Sequence, residues 1–399
     1  MTTLPPELVE RLRQDTPGCA ERVHLNNAGS ALMPRPVLDA VRGHLELEGR
    51  IGGYEAADAE RPAIERAYGS VAALIGAAPE LVAFVENATV AYAQALSAIP
   101  WQSGDMILTS RDDYVSNQIM FLSLHRRFGV WVLRAPDAPG GGIDVEAFSQ
   151  MVRLHRPRLV ALTHVPTNSG LVQPVEAIGK ACRESGVLYL VDACQSVGQL
   201  PVDVAAIGCD FLSATSRKFM RGPRGSGFLY VSRRVLDAGL EPLFPDLHGA
   251  TWTDADAYTV RGDARRFENW EFAYALVLGT GAAARYAMEI GIPEIAARTA
   301  ALAALARERL SAAGFRVLDR GPRLCGIVTV EIPGREPEAF QAALHERRIN
   351  TSVSTRAYAL LDFDQKGVAW ALRLSPHYYN TDDEIGAAVG VIAELAGRG

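Results

Sequence analysis

The chain has 399 residues, 48% of them hydrophobic and 22% charged, and a formal net charge of −6. That length exceeds one small core and suits a large enzyme built of two lobes. The mild acidic balance argues against a dedicated nucleic-acid binder, which carries a basic footprint.

The opening stretch Met1–Leu12 has acids and prolines but no apolar centre, so no signal peptide is expected. No run of about eighteen apolar residues occurs, so no membrane span is expected either, and the cytoplasm is the expected location. The five cysteines (Cys19, Cys182, Cys194, Cys209, Cys325) are scattered without metal-ligand spacing and read as reduced core thiols, with no metal site. Only three lysines occur, Lys180, Lys218 and Lys366, against 37 arginines. Arginine serves as well for surface charge but cannot form an imine, so a retained lysine invites a chemical explanation.

In chain order, short apolar runs alternate with amphipathic segments. Val82–Val85 predicts a strand and Ala88–Ile99 a helix; Met106–Thr109 and Val115–Phe128 repeat the pattern. Val130–Leu133 precedes a helix at Val145–Leu154, and Leu159–His164 precedes one at Pro174–Ser185. Strands follow at Val187–Val191, Phe211–Ala214 and Gly227–Val231. Continuous apolar strands between long helices predict an α/β architecture with a buried, mainly parallel sheet. The Ala135–Gly142 stretch reads as a surface turn. Farther on, Phe272–Ile290 and Pro293–Ala313 predict long helices. Short strands are predicted at Arg316–Leu318, Gly326–Ile332 and Ala371–Leu374, and a closing helix starts at the capping box Thr381–Glu384. These elements predict a smaller α+β lobe. The expected division is a large domain over 16–285 and a small one from 1–15 and 286–399.

The strongest chemical signal is Val191–Gly198 followed by Asp210–Gly227. Asp192 stands at the carboxyl end of an apolar strand, the edge where open α/β sheets bind ligands. A carboxylate there can pair with a protonated pyridine nitrogen and keep the ring an electron sink. Lys218 is read at the end of the next strand, before a glycine-rich turn that lets backbone approach closely. Thr215 and Arg217 add a hydroxyl and a fixed cation, both suited to phosphate.

These two motifs resemble the fold-type I pyridoxal 5′-phosphate (PLP) enzymes of aminotransferase class V, which include cysteine desulfurases, and the resemblance covers nearly the whole chain. It implies PLP held as a Schiff base on Lys218, with Asp192 on the ring nitrogen and Gln195 on the ring hydroxyl. Ala88 and Thr89, at a strand-to-helix junction, are implied phosphate ligands together with Thr215 and Arg217. Tyr114 matches the ring that stacks on the pyridine, where many relatives carry histidine. Asn168 matches the asparagine that touches the cofactor oxygen or substrate carboxylate. Arg373 matches the arginine that receives the substrate α-carboxylate, and Asn27 and Ala28 match the loop lining the substrate side. Relatives are homodimers with shared active sites, so Trp252, in the loop His248–Thr253, either enters the partner's site or anchors local packing. Asp192 taken alone could equally be a helix N-cap, and its spacing to Lys218 favours the cofactor role. His164 reads as a core histidine, and Gly222–Gly227 does not open the strand–helix unit that a nucleotide loop requires.

Cysteine desulfurases need a mobile cysteine shortly before the carboxylate arginine. The corresponding stretch Ile349–Asp362 has none, and Cys325 is predicted on a buried strand. No persulfide-forming activity is therefore expected. The Ser216–Lys218, Phe267–Glu271 and Tyr378–Thr381 segments resemble a subgroup with ergothioneine-pathway C–S lyases, isopenicillin N epimerase-like proteins and S-conjugate-processing enzymes of lincosamide assembly. The function this implies is a C–S β-lyase that cleaves a cysteine S-conjugate or its sulfoxide to a sulfur product, pyruvate and ammonia. Decarboxylating oxidative deamination, amino-acid epimerisation and a non-catalytic ligand-binding role are the alternatives. Retention of both Lys218 and Asp192 favours an active enzyme on a small amino-acid substrate.

Overall fold

The computed structural model describes residues 4–398; Met1–Thr3 of the expected amino-terminal segment and Gly399 lie outside the described residues. Its centre is a seven-stranded sheet made of β1 (Val82–Val85), β2 (Met106–Thr109), β3 (Trp131–Arg134), β4 (Leu159–Thr163), β5 (Leu188–Asp192), β6 (Phe211–Thr215) and β7 (Gly227–Val231). The spatial order is β1-β7-β6-β5-β4-β2-β3, and β7 alone runs against its neighbours. The chain at β4, β6 and β7 is buried throughout, because helices cover both faces and no strand residue is left to water. That is why these segments read as unbroken apolar runs rather than alternating ones.

The helices are α1 (Arg35–Ile51), α2 (Arg61–Leu74), α3 (Ala88–Ser97), α4 (Val115–Phe128), α5 (Val145–His155), α6 (Val175–Ser185), α7 (Tyr274–Ile290) and α8 (Ile292–Ala312). Helices α1 and α2, which the sequence reading leaves without assignment, pack against α7. The contact is close because α7 presents glycines there. A Cβ on Gly279 would lie 2.5 Å from Val41 and one on Gly281 2.6 Å from Ala67.

A second core forms around a three-stranded antiparallel sheet of β10 (Val328–Val330), β11 (Ser352–Thr355) and β12 (Trp370–Leu374), with β12 central; β8 and β9 form a separate hairpin (Ala250–Asp254, Ala257–Val260). The short α9 (Leu360–Lys366) precedes β12, and α10 (Asp382–Ala396) closes the chain. Thr381 and Glu384 form the reciprocal capping box at its start.

Four details correct the sequence reading. Arg316–Leu318 is not a strand; it keeps one bridge, Val317 to Val330. The Gly326–Ile332 strand shortens to Val328–Val330, because the backbone before it pairs with the larger lobe: Cys325 N–H donates to Gly170 O and Gly326 N–H to Gln199 Oε1. His248–Thr253 is largely not a loop but runs into the first strand of the β8–β9 hairpin. Finally, Val23–His24 pairs with Ile349–Asn350 and Leu25 sits in the second core, so this stretch, expected in the larger lobe, packs with the smaller one. No helix among the described residues is long and apolar enough to cross a membrane.

Candidate active site

Because β1, β2, β4, β5 and β6 are parallel, their carboxyl ends meet at one edge of the sheet. A cavity of about 410 Å³ opens there, bounded by Ala88, Thr89, Tyr114, Asp192, Thr215, Arg217 and Lys218 together with Asn87, Asn117 and Cys194. Seven of the residues singled out from sequence thus converge on one space.

Each arrives for a local reason. Asp192 is the last residue of β5; its carboxylate accepts from Cys194 N–H (3.0 Å) and from Asn117 Nδ2 (3.0 Å). Asn117 also donates to Asp113 Oδ1 (3.1 Å), and Gln118 donates to Asp113 Oδ2 (2.7 Å). Burial drives the Asp113 carboxyl above its usual range, against hydrogen bonds from Thr163, Gln118 and Asn117. Asn117 therefore orients Asp192, and it lies one helical turn after Tyr114 on the same face of α4. That i, i+3 spacing was the available signal for it.

Lys218 does not end β6, which stops at Thr215; it sits in the following turn. The turn is pinned by Arg221, a residue missed from sequence. Arg221 has φ of 63° and is buried. It donates to Leu32 O (2.8 Å), Tyr378 Oη (2.6 Å) and Thr16 Oγ1 (2.6 Å), and its guanidinium lies 4.4 Å from the Tyr379 ring centroid. Burial lowers the Lys218 pKa, and the Arg217 and Arg373 cations push the same way, against Cys194 and Asp192. Lys218 Nζ lies 5.8 Å from the Tyr114 ring centroid.

The end of the cavity at the start of α3 is built by close approach. Asn87 caps α3 by accepting from Val90 N–H (3.0 Å), which leaves the first-turn amides of Ala88 and Thr89 free, with the positive end of the helix dipole behind them. A Cβ on Gly227 would stand 2.6 Å from Ala214 O and 3.1 Å from Ala88 N, so only glycine lets β7 meet the start of α3. Arg217 donates to Gly29 O, and burial, then Arg224, lowers its pKa; an anion beside it would relieve both penalties.

Arg373 is not among the residues that bound this cavity; it donates to Thr167 O (3.1 Å) and Asn26 Oδ1 (3.3 Å), while its Nε is buried without a partner. Burial, then Arg217, lowers its pKa to about 10. Gln195 Nε2 donates to Ala28 O and Thr167 Oγ1, both at 3.0 Å, and its Oε1 is likewise buried and unpartnered. Thr167 and Asn26 were not foreseen. Asn27, expected to face substrate, is instead turned inward: it donates to Ser375 O (2.7 Å) and accepts from Tyr379 Oη. Ala28 is buried and contributes its carbonyl and an N–H bonded to Ser375 Oγ. Asn168 donates to Tyr358 O (2.9 Å) and lines a neighbouring cavity. Trp252 is 78% exposed on β8 and is not among the residues lining the site of its own chain, which leaves it without a packing role there.

The arrangement fits PLP. It offers free amides and a cation for a phosphate, a carboxylate for a ring nitrogen and a depressed lysine for an imine; the unpartnered Oε1 of Gln195, next in sequence to Cys194, lies off the cavity wall.

Residues 23–387 match the aminotransferase class-V family. A probable cysteine desulfurase of Methanothermobacter thermautotrophicus is 30% identical, with 98% of each chain covered. A probable hercynylcysteine sulfoxide lyase of Mycobacterium tuberculosis is also 30% identical, over 98% of this chain and 94% of that one. The apo structure of a cysteine desulfurase from Thermococcus onnurineus superposes with a TM-score of 0.90 at 26% identity and full coverage of both chains. The chain belongs to the aminotransferase class-V family, and it is a PLP-dependent enzyme of the fold-type I architecture.

Proposed function

We propose that the chain is a C–S β-lyase acting on a cysteine S-conjugate or its sulfoxide, as a homodimer in the cytoplasm. For a thioether the balance is RS–CH₂–CH(NH₃⁺)–COO⁻ plus water giving RSH, pyruvate and ammonium. A sulfoxide gives the corresponding sulfenic acid in place of the thiol.

In this reading Ala88, Thr89, Thr215 and Arg217 hold the phosphate, Asp192 faces the ring nitrogen, Tyr114 covers the ring and Gln195 offers its free Oε1 to the ring hydroxyl. The bound cofactor supplies an electron sink for the pair left at Cα. Arg373 grips the substrate carboxylate with its fork and fixes which bond at Cα is presented. Lys218 carries the linkage and, once released, takes the α-proton. Burial among cations favours the neutral amine that a base must be.

The observation that carries elimination over desulfuration is the state of the cysteines. A nucleophilic cysteine needs a depressed pKa and access. Here burial pushes Cys19 up to about 11 and Cys325 up to about 12, and Cys182, Cys194 and Cys209 higher still. The stretch 349–362 before Arg373 carries no cysteine and is held in place by Asn168.

Desulfuration is the second reading. Relatives named probable cysteine desulfurases favour it, and Cys194, which borders the cavity, is its candidate thiol. Product analysis decides. Pyruvate and ammonia in equal amounts, lost in Lys218→Ala, support the lyase. Alanine with a sulfur adduct on Cys194 supports desulfuration and overturns the lyase. Carbon dioxide release or a D-amino acid would instead support decarboxylating deamination or epimerisation.

A further inference from the structure

A second cavity of about 410 Å³ adjoins the first across the start of α4. Tyr114 and Asn117 face the cofactor space, whereas Val115, Gln118, Ile119 and Leu122 face the neighbour. The segment 166–169 links the second cavity to Arg373 and Gln195. Thr167 serves Arg373 and Gln195, and Pro166, Asn168 and Ser169 line the second space. Arg373 is thus joined through the Thr167 carbonyl to the segment whose neighbouring residues wall the second cavity.

Its walls are apolar and open to water. Ile119 is 60% exposed, and Leu122, Tyr358 and Leu360 are also exposed. The opposite wall is α9 and the turn before it, anchored by the fully buried Phe363 and by Asn168. Its lining includes the carboxyls of Asp112 and Asp362, with Lys366 Nζ 2.7 Å from Asp362 Oδ2. Lys366 and Asp362 are both buried, so this lysine is committed to Asp362, and among the described residues Asp112 makes no ion pair of its own. Burial, and then Asp362, push Asp112 up to about 8. Arg134, on another wall, is tied to Gln118 Oε1 (2.6 Å) and Arg111 is exposed, so neither neutralises the pair by contact.

We infer that this compartment receives the distal part of the substrate: an apolar-bodied S-substituent that carries a cationic nitrogen or N–H donor, met by the Asp112–Asp362 pair. The inference rests on the lyase reading for the substrate's amino-acid end only. A donor from the ligand is met by these carboxyls, and the apolar stripe of α4 covers the substituent's body. Small substrates such as cysteine leave the compartment empty and gain nothing from it.

The test is calorimetric titration of PLP-loaded Lys218→Ala protein, which binds but does not turn over. The probes are S-methylcysteine, S-butylcysteine, S-(aminobutyl)cysteine and S-(carboxypropyl)cysteine. The aminobutyl conjugate is expected to bind about tenfold or more tighter than the carboxypropyl one, a difference of about 1.4 kcal/mol or more. Adding Asp112→Asn is expected to erase that preference. Adding Ile119→Trp is expected to weaken all three larger conjugates about tenfold and leave S-methylcysteine unchanged. Equal affinities for all probes, or large conjugates indifferent to both substitutions, overturn the inference. So does a change of oligomeric state in Ile119→Trp with conjugate binding intact, which would mean that a second copy covers the cavity. Pyruvate release by the wild-type protein is measured separately. Selective binding without pyruvate sinks the lyase reading and leaves the compartment standing.

Discussion

Glu268 gives the sharpest test of how the larger lobe holds the strand that leads into α3. Its buried carboxylate accepts from Tyr68 Oη (2.8 Å), from Phe84 N–H of β1 (2.7 Å) and from His248 Nε2 (3.1 Å). Phe84 lies in the strand that leads directly to Asn87 and α3. Replacing Glu268 by alanine strands two buried donors, the Tyr68 hydroxyl and the Phe84 amide, while the partly exposed His248 turns to water. At roughly 1–3 kcal/mol per orphaned donor, offset in part by relief of a buried charge, the net loss is about 3 kcal/mol. With an unfolding entropy of about 2.1 cal/mol/K per residue over this chain, that lowers Tm by roughly 3–4 °C if the protein melts as one unit. Glu268→Gln keeps one acceptor and is expected to lose less than half as much. Differential scanning calorimetry of both variants, with PLP affinity measured alongside, provides the readout. A Glu268→Ala protein that melts within about 1 °C of wild type would show that these donors find other partners and refute the reasoning.

Acid should destabilise the protein through His24 and His164, whose pKa values burial lowers to about 4. Both are neutral bases in the fold, so below the unfolded value of about 6.5 only the unfolded chain takes up protons; stability is complete above that pH and falls as pH drops towards 4. Each costs up to about 2 kcal/mol between pH 7 and pH 5, and urea unfolding of His24→Gln should show a shallower pH slope than wild type. Arg373→Lys loses the two-pronged grip, about 1.5–3 kcal/mol, so KM for an S-conjugate should rise roughly ten- to a hundred-fold with kcat within a few-fold; an unchanged KM would remove Arg373 from carboxylate binding. Under native conditions at neutral pH, Cys194 and Cys325 should resist iodoacetamide, and Cys194→Ser should retain pyruvate release; rapid labelling of Cys194 would contradict its burial and raised pKa.

The sequence by itself determined the α/β architecture, because strands covered on both faces must be apolar throughout and Val82–Val85, Met106–Thr109 and Gly227–Val231 are bounded by clear turn residues. It also determined that Asp192, Thr215, Arg217 and Lys218 belong together, since consecutive strands of one sheet end at one edge. The roles of supporting residues were decided by tertiary structure. Asn27 and Asn26 are adjacent and chemically identical, and only the packing of their loop against Ser375 and Tyr379 turns one inward and the other towards Arg373. Helices α1 and α2 were not legible because the signal for their docking lies in two glycines of a helix more than 200 residues away. Asp112, Asp362 and Lys366 carry no motif at all. Asp362 and Lys366 sit one helical turn apart on α9 and Asp112 stands before α4, and only contacts between distant segments bring Asp112 and Asp362 to one cavity, with Lys366 paired to Asp362. Local sequence sets periodicity and strand ends; which side chains share a space depends on contacts between distant segments, and no local pattern encodes those.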